Sequence, residues 1–280
     1  MRGVFVLNDI RAKFTRGEDI KYISHLDLMK LFERALRRSG VPVTYSQGFN
    51  PHPHIVFGLP LPVGVTSEAE YVDIEFSDAL EPAELTERLN NEFPVGLKII
   101  DAKKKNTKMN IMASIIIATY EILVSSDKKL GMEYIRGSIE KFMSREAAVV
   151  EKEGKNGLKD IDIKPMIHLL DVGIIEKNET EISETRIADC SKCLNPWVLN
   201  YLEKISDIDH SGLSYKIENI FCLSVKLSAG SKANLKPDLL VSAINIYTDM
   251  DLKLVKVHRT GLIIEKGVMV LDPLDEKALS

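Results

Sequence analysis

Two stretches of this chain match at a constant offset of 155 residues, and that match limits the folds open to it. Pro82 corresponds to Pro237, Leu85 to Leu240, Leu89 to Ile244 and Asn90 to Asn245. Leu97 corresponds to Leu252, Lys98 to Lys253, and Ile99-Ile100 to Leu254-Val255. Each stretch opens an amphipathic helix with proline, whose missing N–H would have no partner in the first turn anyway. Each then runs into a strand. A chain of 280 residues also has the length of two domains of about 100–150 residues. An internal duplication, or at least two like-folded domains, is therefore expected.

The first half completes the pattern. "DIRAKFT" alternates, with Ile10, Ala12 and Phe14 on one face. Ser24 is a natural N-cap and Asp27 stands three residues later, a capping box with Asp in place of the usual Glu. Leu28, Phe32, Ala35 and Leu36 recur at helical spacing, Arg37 and Arg38 fall in the last turn, and Gly40 supplies the stop. "VPVTYSQ" and "HIVFGLPL" read as extended pieces joined by "GFNPHP". The alternating strand "EYVDIEF", the helix "EPAELTERLNNEF" and the strand "LKIIDAK" follow, and the polar run "KKKNTKMN" reads as a linker. This β-α-β(β)-β-α-β order is the split βαβ of ferredoxin-like domains.

The second half repeats it with "ATYEILVS", "GMEYIRGSIEKFM", "AAVVEKE", "KDIDIKPMIHLL", "FCLSVKLS", "KPDLLVSAIN" and "LKLVKVHR". The expected fold class is α+β, with two tandem ferredoxin-like (βαββαβ-type) domains at residues 1–108 and 109–280. An insertion at about 171–214 interrupts the second, acidic at first and then helical around Trp197.

Hydrophobic residues make up 45% and charged residues 28%, a balance normal for a chain that buries a core. The net charge of −4 excludes a simple polybasic nucleic-acid binder, but it is compatible with a local basic patch. The amino-terminal apolar run is too short for a signal-peptide core, and no later stretch is long enough to span a membrane. Three cysteines do not make a disulfide framework. A cytoplasmic protein is expected, in which the sequon Asn178-Glu179-Thr180 has no consequence.

Residues 44–64, "TYSQGFNPHPHIVFGLPLPVG", hold four prolines and two of the six histidines. His52 and His54 are two apart in an extended segment and could share a metal, with His25 as a third ligand. No acidic or thiolate partner stands nearby, and hydrogen-bonding histidines in a proline-stiffened rod account for the pattern as well. His25 and His52 could form an acid–base pair for cleaving RNA, with His25 kept neutral by a helix N-terminus. A histidine next to a cap also has a structural task. Cys190 and Cys193 form a lone CxxC, with Cys222 and His210 as remote companions, so they are weak candidates for a metal or redox site beside a reading as ordinary thiols. No GxGxxG, Walker A, HExxH, GxSxG or kinase motif occurs.

A surface argument remains. Arg34, Arg37 and Arg38 lie on the helix before the strand that leads into Tyr45, Gln47, Phe49 and Asn50. Aromatic and amide groups on a sheet with arginines at its edge are how several folds read unpaired RNA bases. The plainer alternative places Tyr45 and Phe49 in the core and the arginines on a solvated face.

Residues 22–76 closely resemble the start of the radical SAM-linked proteins, a bacterial family carrying the domain DUF2344. The resemblance rests on Ser24-His25-Leu26-Asp27, Arg34 with Arg37-Arg38, and Ser46-Gln47-Gly48-Phe49-Asn50-Pro51-His52-Pro53. It continues through Pro60-Leu61-Pro62-Val63-Gly64 and Ser67 with Glu70. Asp162-Ile163-Lys164-Pro165, Asn234-Leu235-Lys236-Pro237-Asp238 and Arg259-Thr260-Gly261-Leu262 are similar to later motifs. Family members are encoded beside, or fused to, a radical SAM protein, often near genes for ribosomal-RNA processing and ribosomal proteins. The position of His54 is commonly basic there, which weakens the metal reading.

The resemblance implies a stand-alone accessory protein without a cofactor of its own, not catalytic alone, that recognises a substrate for a radical SAM partner. Ribosomal or transfer RNA is the expected substrate. The implied substrate-binding set adds Ser24, His25, Asp27, Asn50, His52, Ser67, Glu70, Asp162, Lys164, Asn234, Lys236 and Arg259 to the surface residues above. An independent metal- or histidine-dependent RNA-acting enzyme, and a pure protein adaptor, are the alternatives.

Overall fold

The computed structural model describes residues 8–154, 157–177, 185–188, 195–206 and 220–280, with 174–177, 185–188 and 202–206 described by backbone alone. The chain is a mixed α+β protein whose strands are mostly antiparallel. In chain order the elements begin with β1 (Asp9–Arg16), α1 (His25–Ser39), β2 (Ile55–Phe57), β3 (Thr66–Glu75), α2 (Pro82–Asn90), β4 (Leu97–Lys105) and α3 (Ile111–Ser114). They continue with β5 (Ile115–Ser126), α4 (Met132–Met143), β6 (Val149–Gly154), β7 (Gly157–Asp162), β8 (Ile167–Lys177), β9 (Thr185–Ala188) and α5 (Pro196–Ser206). The last are β10 (Ile220–Ser228), α6 (Pro237–Tyr247), β11 (Leu252–Lys266), β12 (Met269–Leu271) and α7 (Glu276–Leu279).

Contacts divide the chain into two compact units, Met1–Ala118 with Ala229–Ala233 and His258–Ser280, and Thr119–Ser228 with Asn234–Val257. This division differs from the contiguous one expected from sequence, because the last 23 residues, His258–Ser280, pack with the first unit.

In the first unit the strands run in the order β4-β1-β3, with β2 also on β3, and all these pairs are antiparallel. β11 joins β3 in parallel through His258 opposite Thr66 and Arg259 opposite Ser67. Ile10, Ala12 and Phe14 of β1 share a core with Leu28, Phe32, Ala35 and Leu36 of α1 and with Leu85 and Leu89 of α2. Phe32 sits between the Phe14, Phe57 and Phe93 rings at 5.1, 5.0 and 4.8 Å, tilted or edge-on, the arrangements aromatic quadrupoles favour. The α1 cap forms: Ser24 Oγ accepts from the Asp27 N–H at 3.1 Å and donates to Asp27 Oδ2 at 2.7 Å. Gly40 ends the helix in the left-handed region at φ 65°, which costs glycine nothing.

Two expectations are corrected here. β3 does not alternate but is buried along nearly its whole length. The polar run 103–110 is not a linker from its start, since 103–105 complete β4 and Lys105 is buried. The second follows from the pairing of 103–105 with Asp9–Arg11 of β1, and residues 272–279 contribute to both by bonding to side chains of this part of the sheet. Pro273 O accepts from Arg11, Asp272 from the Tyr71 hydroxyl and Leu274 O from Lys103.

In the second unit the order is β11-β5-β10-β8-β9, with β8 antiparallel to β10 and β9 antiparallel to β8. β6 and β7 form a separate antiparallel hairpin. β8 pairs with β10 as far as Ile174 and runs on to Lys177, so the insertion starts after β8 and not at residue 171. In α5, Trp197 stacks on Tyr201 with centroids 5.4 Å apart.

Candidate functional site

Residues 44–54 form an arm that closes on itself. The His54 N–H donates to Thr44 O at 2.8 Å, the Ser46 N–H to His52 O at 2.8 Å, and the His52 N–H to Ser46 Oγ at 3.0 Å. Tyr45 bridges to Pro53. Thr44 N–H to Glu75 O and Glu75 N–H to His54 O then tie both strands of the arm to the end of β3. The prolines remove donors, so of the two expected extended pieces only residues 55–57 qualify as a strand. Gly48, at φ 133°, turns the tip. Gln47, Asn50 and Phe49 are exposed there, and the Phe49 ring is wholly so, at 107%. Tyr45 is instead half-buried against the core, which corrects the expectation of an exposed aromatic.

The two histidines of the arm have different partners. His52 Nδ1 lies 3.4 Å from Glu33 Oε1 of α1, and His54 Nδ1 lies 2.9 Å from Glu75 Oε2 of β3. His25 packs edge-on against Phe57 at 5.5 Å. The imagined three-histidine metal site is therefore not assembled. On the same helix Lys30 and Arg37 stand at i−3 and i+4 from Glu33 and share its face, Arg34 follows it directly, and all three are exposed. Arg38 is committed elsewhere, donating to Glu92 Oε2 at 2.6 Å and Glu92 O at 2.8 Å.

Behind the start of α1 lies a buried ionic group that the sequence did not display as one. Arg259 Nη1 reaches both Glu70 oxygens at 3.0 and 3.1 Å and Leu59 O at 3.0 Å, and its Nη2 reaches Pro60 O at 3.3 Å. Ser67 Oγ donates to Arg259 O at 3.2 Å. Arg16, 1% exposed, donates to Ile20, Lys21, Ile23 and Leu61 carbonyls. Ser67, Glu70 and Arg259 are thus brought together, but as the interior clasp of the loop 59–64 and not as a surface. Burial holds the His25 imidazole below its ordinary value of 6.5, the Arg16 charge adds to this, and Glu70 opposes it. Ser24's hydroxyl holds the Asp27 carboxyl below its ordinary value.

A second buried group was missed altogether. Arg11 grips Asp73 in a two-pronged pair at 2.6 and 2.9 Å, and Lys105 Nζ lies 3.3 Å from both Asp73 and Asp9. Arg11 looks like the solvent side of an alternating strand, but it is fully buried, with Asp73 of β3 and the distant Pro273 carbonyl as its partners.

The remaining candidates belong to the second unit. Asp162 Oδ1 accepts from the Ala148 and Lys164 N–H groups at 2.8 and 3.0 Å, which hold its carboxyl below the ordinary value. Lys164 Nζ donates to Met143 O. Asn234 O accepts from Lys152 at 3.3 Å, and Lys236 precedes α6 as its cap. These are local structural tasks. Cys190, Cys193 and His210 lie outside the described residues. Cys222 is buried and bonded to Glu121 Oε2 at 3.1 Å, and burial pushes its thiol well up. Among the described residues no group of three or more His, Cys, Asp or Glu could hold a metal ion, and no helix is long and apolar enough to cross a membrane.

Two solved structures align over 91% of this chain. One is titled as the crystal structure of a Cbf5-Nop10-Gar1 complex, with TM-score 0.44 and 9% identity. The other is titled as the archaeal box H/ACA sRNP Nop10-Cbf5 complex, with TM-score 0.38 and 8% identity. The chain spans 49% and 47% of those chains. A search of curated proteins returns no match. The family model described as "Uncharacterized protein conserved in bacteria (DUF2344)" matches residues 9–196, and the chain belongs to that family.

Proposed function

We propose that this protein is a cytoplasmic accessory factor that grips RNA, ribosomal or transfer, and presents it to a radical SAM enzyme that supplies the chemistry. The observation that carries the RNA part is the arm at 44–54, whose tip offers a fully exposed Phe49 while His52 approaches Glu33 on the helix that carries the exposed Lys30, Arg34 and Arg37. A stacking ring beside a basic strip is the combination that holds single strands. Exposing a phenyl ring costs hydrophobic stabilisation, and a tip fixed by backbone bonds loses little freedom on binding. The radical SAM partner rests on the family resemblance alone. We also read each unit as ferredoxin-like. The order β4-β1-β3-β2 in the first and β11-β5-β10-β8 in the second correspond strand for strand once the β6–β7 hairpin and the segment after β8 are set aside, and this supports the duplication.

The test is crosslinking and sequencing of RNA bound to the tagged chain in its native host, beside a Phe49→Ala/Arg34→Ala/Arg37→Ala variant. All three side chains are exposed, so the variant is expected to fold. One enriched RNA region, lost in the variant, is the expected result. Loss of one stacked base alone is worth about 1–3 kcal/mol. Absence of any enriched RNA, with a radical SAM protein still co-purifying, would leave a protein adaptor instead.

A further inference from the structure

Beneath the arm lies a cleft of 390 Å³. Its titratable lining is Asp9, Asp73 and Glu75 against Lys105, Lys108 and the arm histidines His52 and His54, while Ile55, Val56 and Met109 supply apolar walls and Asn110 an amide. We propose that this cleft receives one nucleobase turned out of the RNA strand, and that it favours bases bearing an exocyclic amino group over uracil. The inference rests on the RNA reading above and names the part of the RNA that is read.

Size comes first. The volume falls in the range of about 300–1,000 Å³ typical of small-molecule pockets, enough for a base but not for a duplex. Charge comes second. Three carboxylates line it beside two lysines and two histidines, so a phosphate would meet like charge inside, whereas the exposed basic residues of α1 suit phosphates outside. Hydrogen-bonding capacity comes third. Asp73 is consumed by Arg11 and Lys105, but Asp9 has Lys105 at 3.3 Å and Glu75 has His54 at 2.9 Å, which leaves acceptor positions on both. Burial pushes the Asp9 carboxyl up and Lys105 opposes this, so a further N–H donor would relieve it.

Adenine, cytosine and guanine bring an amino group to such acceptors, as carboxylates accept from the cytosine amine in duplex readout. Uracil brings two carbonyl oxygens and a single N–H. On the donor side, Asn110 Oδ1 is occupied as the α3 cap by the Ala113 N–H at 3.2 Å, so its NH₂, with Lys108, serves a ring nitrogen or carbonyl. The apolar walls match the faces of a base removed from its stack, which is how proteins read a turned-out nucleotide.

The experiment uses the full chain and single-stranded RNA decamers at low salt: all-uridine, and uridine with one central adenosine, cytidine or guanosine. The decamers with a central amino-bearing base are expected to bind about tenfold tighter, the effect of one hydrogen bond to a charged group. Glu75→Gln, at a half-exposed position, is expected to narrow the spread among the four decamers, since Asp9 remains as the second acceptor. Equal affinity of the four decamers for the wild-type chain, or discrimination left wholly unchanged by Glu75→Gln, overturns the base pocket and leaves the RNA reading standing. Failure of every decamer to bind overturns the RNA reading itself, and the pocket with it.

Discussion

His25 opens α1, half-buried against Phe57, with Arg16 behind it. Its folded pKa lies below 6.5, with burial the first cause, so between that depressed value and 6.5 the unfolded chain binds more protons than the folded one. Stability therefore rises with pH through this window and is lost as the pH falls below about 6.5. The carboxylates with depressed values, Asp27 and Asp162, act the other side of 3.8 and do not blur the window. Melting temperature is expected to drop from pH 7 to 5.5 in the wild type and to drop less in His25→Gln. An equal drop in both would remove His25 as the cause. Burial is the first cause of this shift, and the position of a residue in a motif does not reveal burial.

At the scale of elements, the parallel contact of β11 with β3 places Arg259 against Glu70, and these two with Arg16 fix the loop 59–64 by its carbonyls. Glu70 is the counter-charge between two buried guanidinium groups. Glu70→Gln keeps the shape but removes that charge, and breaking a buried pair in this way costs about 3–5 kcal/mol. Urea unfolding is expected to show a loss of that order, and a loss under about 1 kcal/mol would mean that the carbonyls alone satisfy the arginines. This bears on what was legible. β1, α1 and α2 could be read because each has one core face and one outer face, so period and cap signals agree. β3 could not, since its second face is covered from a distance. Ser67, Glu70 and Arg259 could be picked out as a set by resemblance, but not as buried, because nothing local in a polar triplet distinguishes a clasp from a contact surface.

At the scale of the whole molecule, the offset of 155 has a physical counterpart. Asn90 clasps Ile99 with an amide pair of bonds, Nδ2 to O at 2.9 Å and N–H to Oδ1 at 2.8 Å, and Asn245 clasps Leu252 likewise at 2.7 and 2.7 Å. The partner lies nine residues on in the first case and seven in the second, so the device is kept and its register is not. The return of the chain to the first unit after Val257 was illegible, because the strand pattern of "LKLVKVHR" says where β11 begins and not that it runs 15 residues through both units.

That return has a consequence. Residues 272–279 accept from Arg11, Tyr71 and Lys103 and, through Leu279 O, from the Asn106 N–H at 2.7 Å. Burial pushes the Tyr71 phenol up, so it remains a donor to Asp272 across the physiological range. Deleting 268–280 strips these partners, at about 1–3 kcal/mol for each donor left buried and unsatisfied. Amide exchange is therefore expected to quicken in β1 and β3 of the truncated chain, while β8 and β10, which carry none of these contacts, keep their protection. Unchanged protection in β1 and β3 would mean that the segment merely lies on the sheet, and that Arg11 and Tyr71 are satisfied without it.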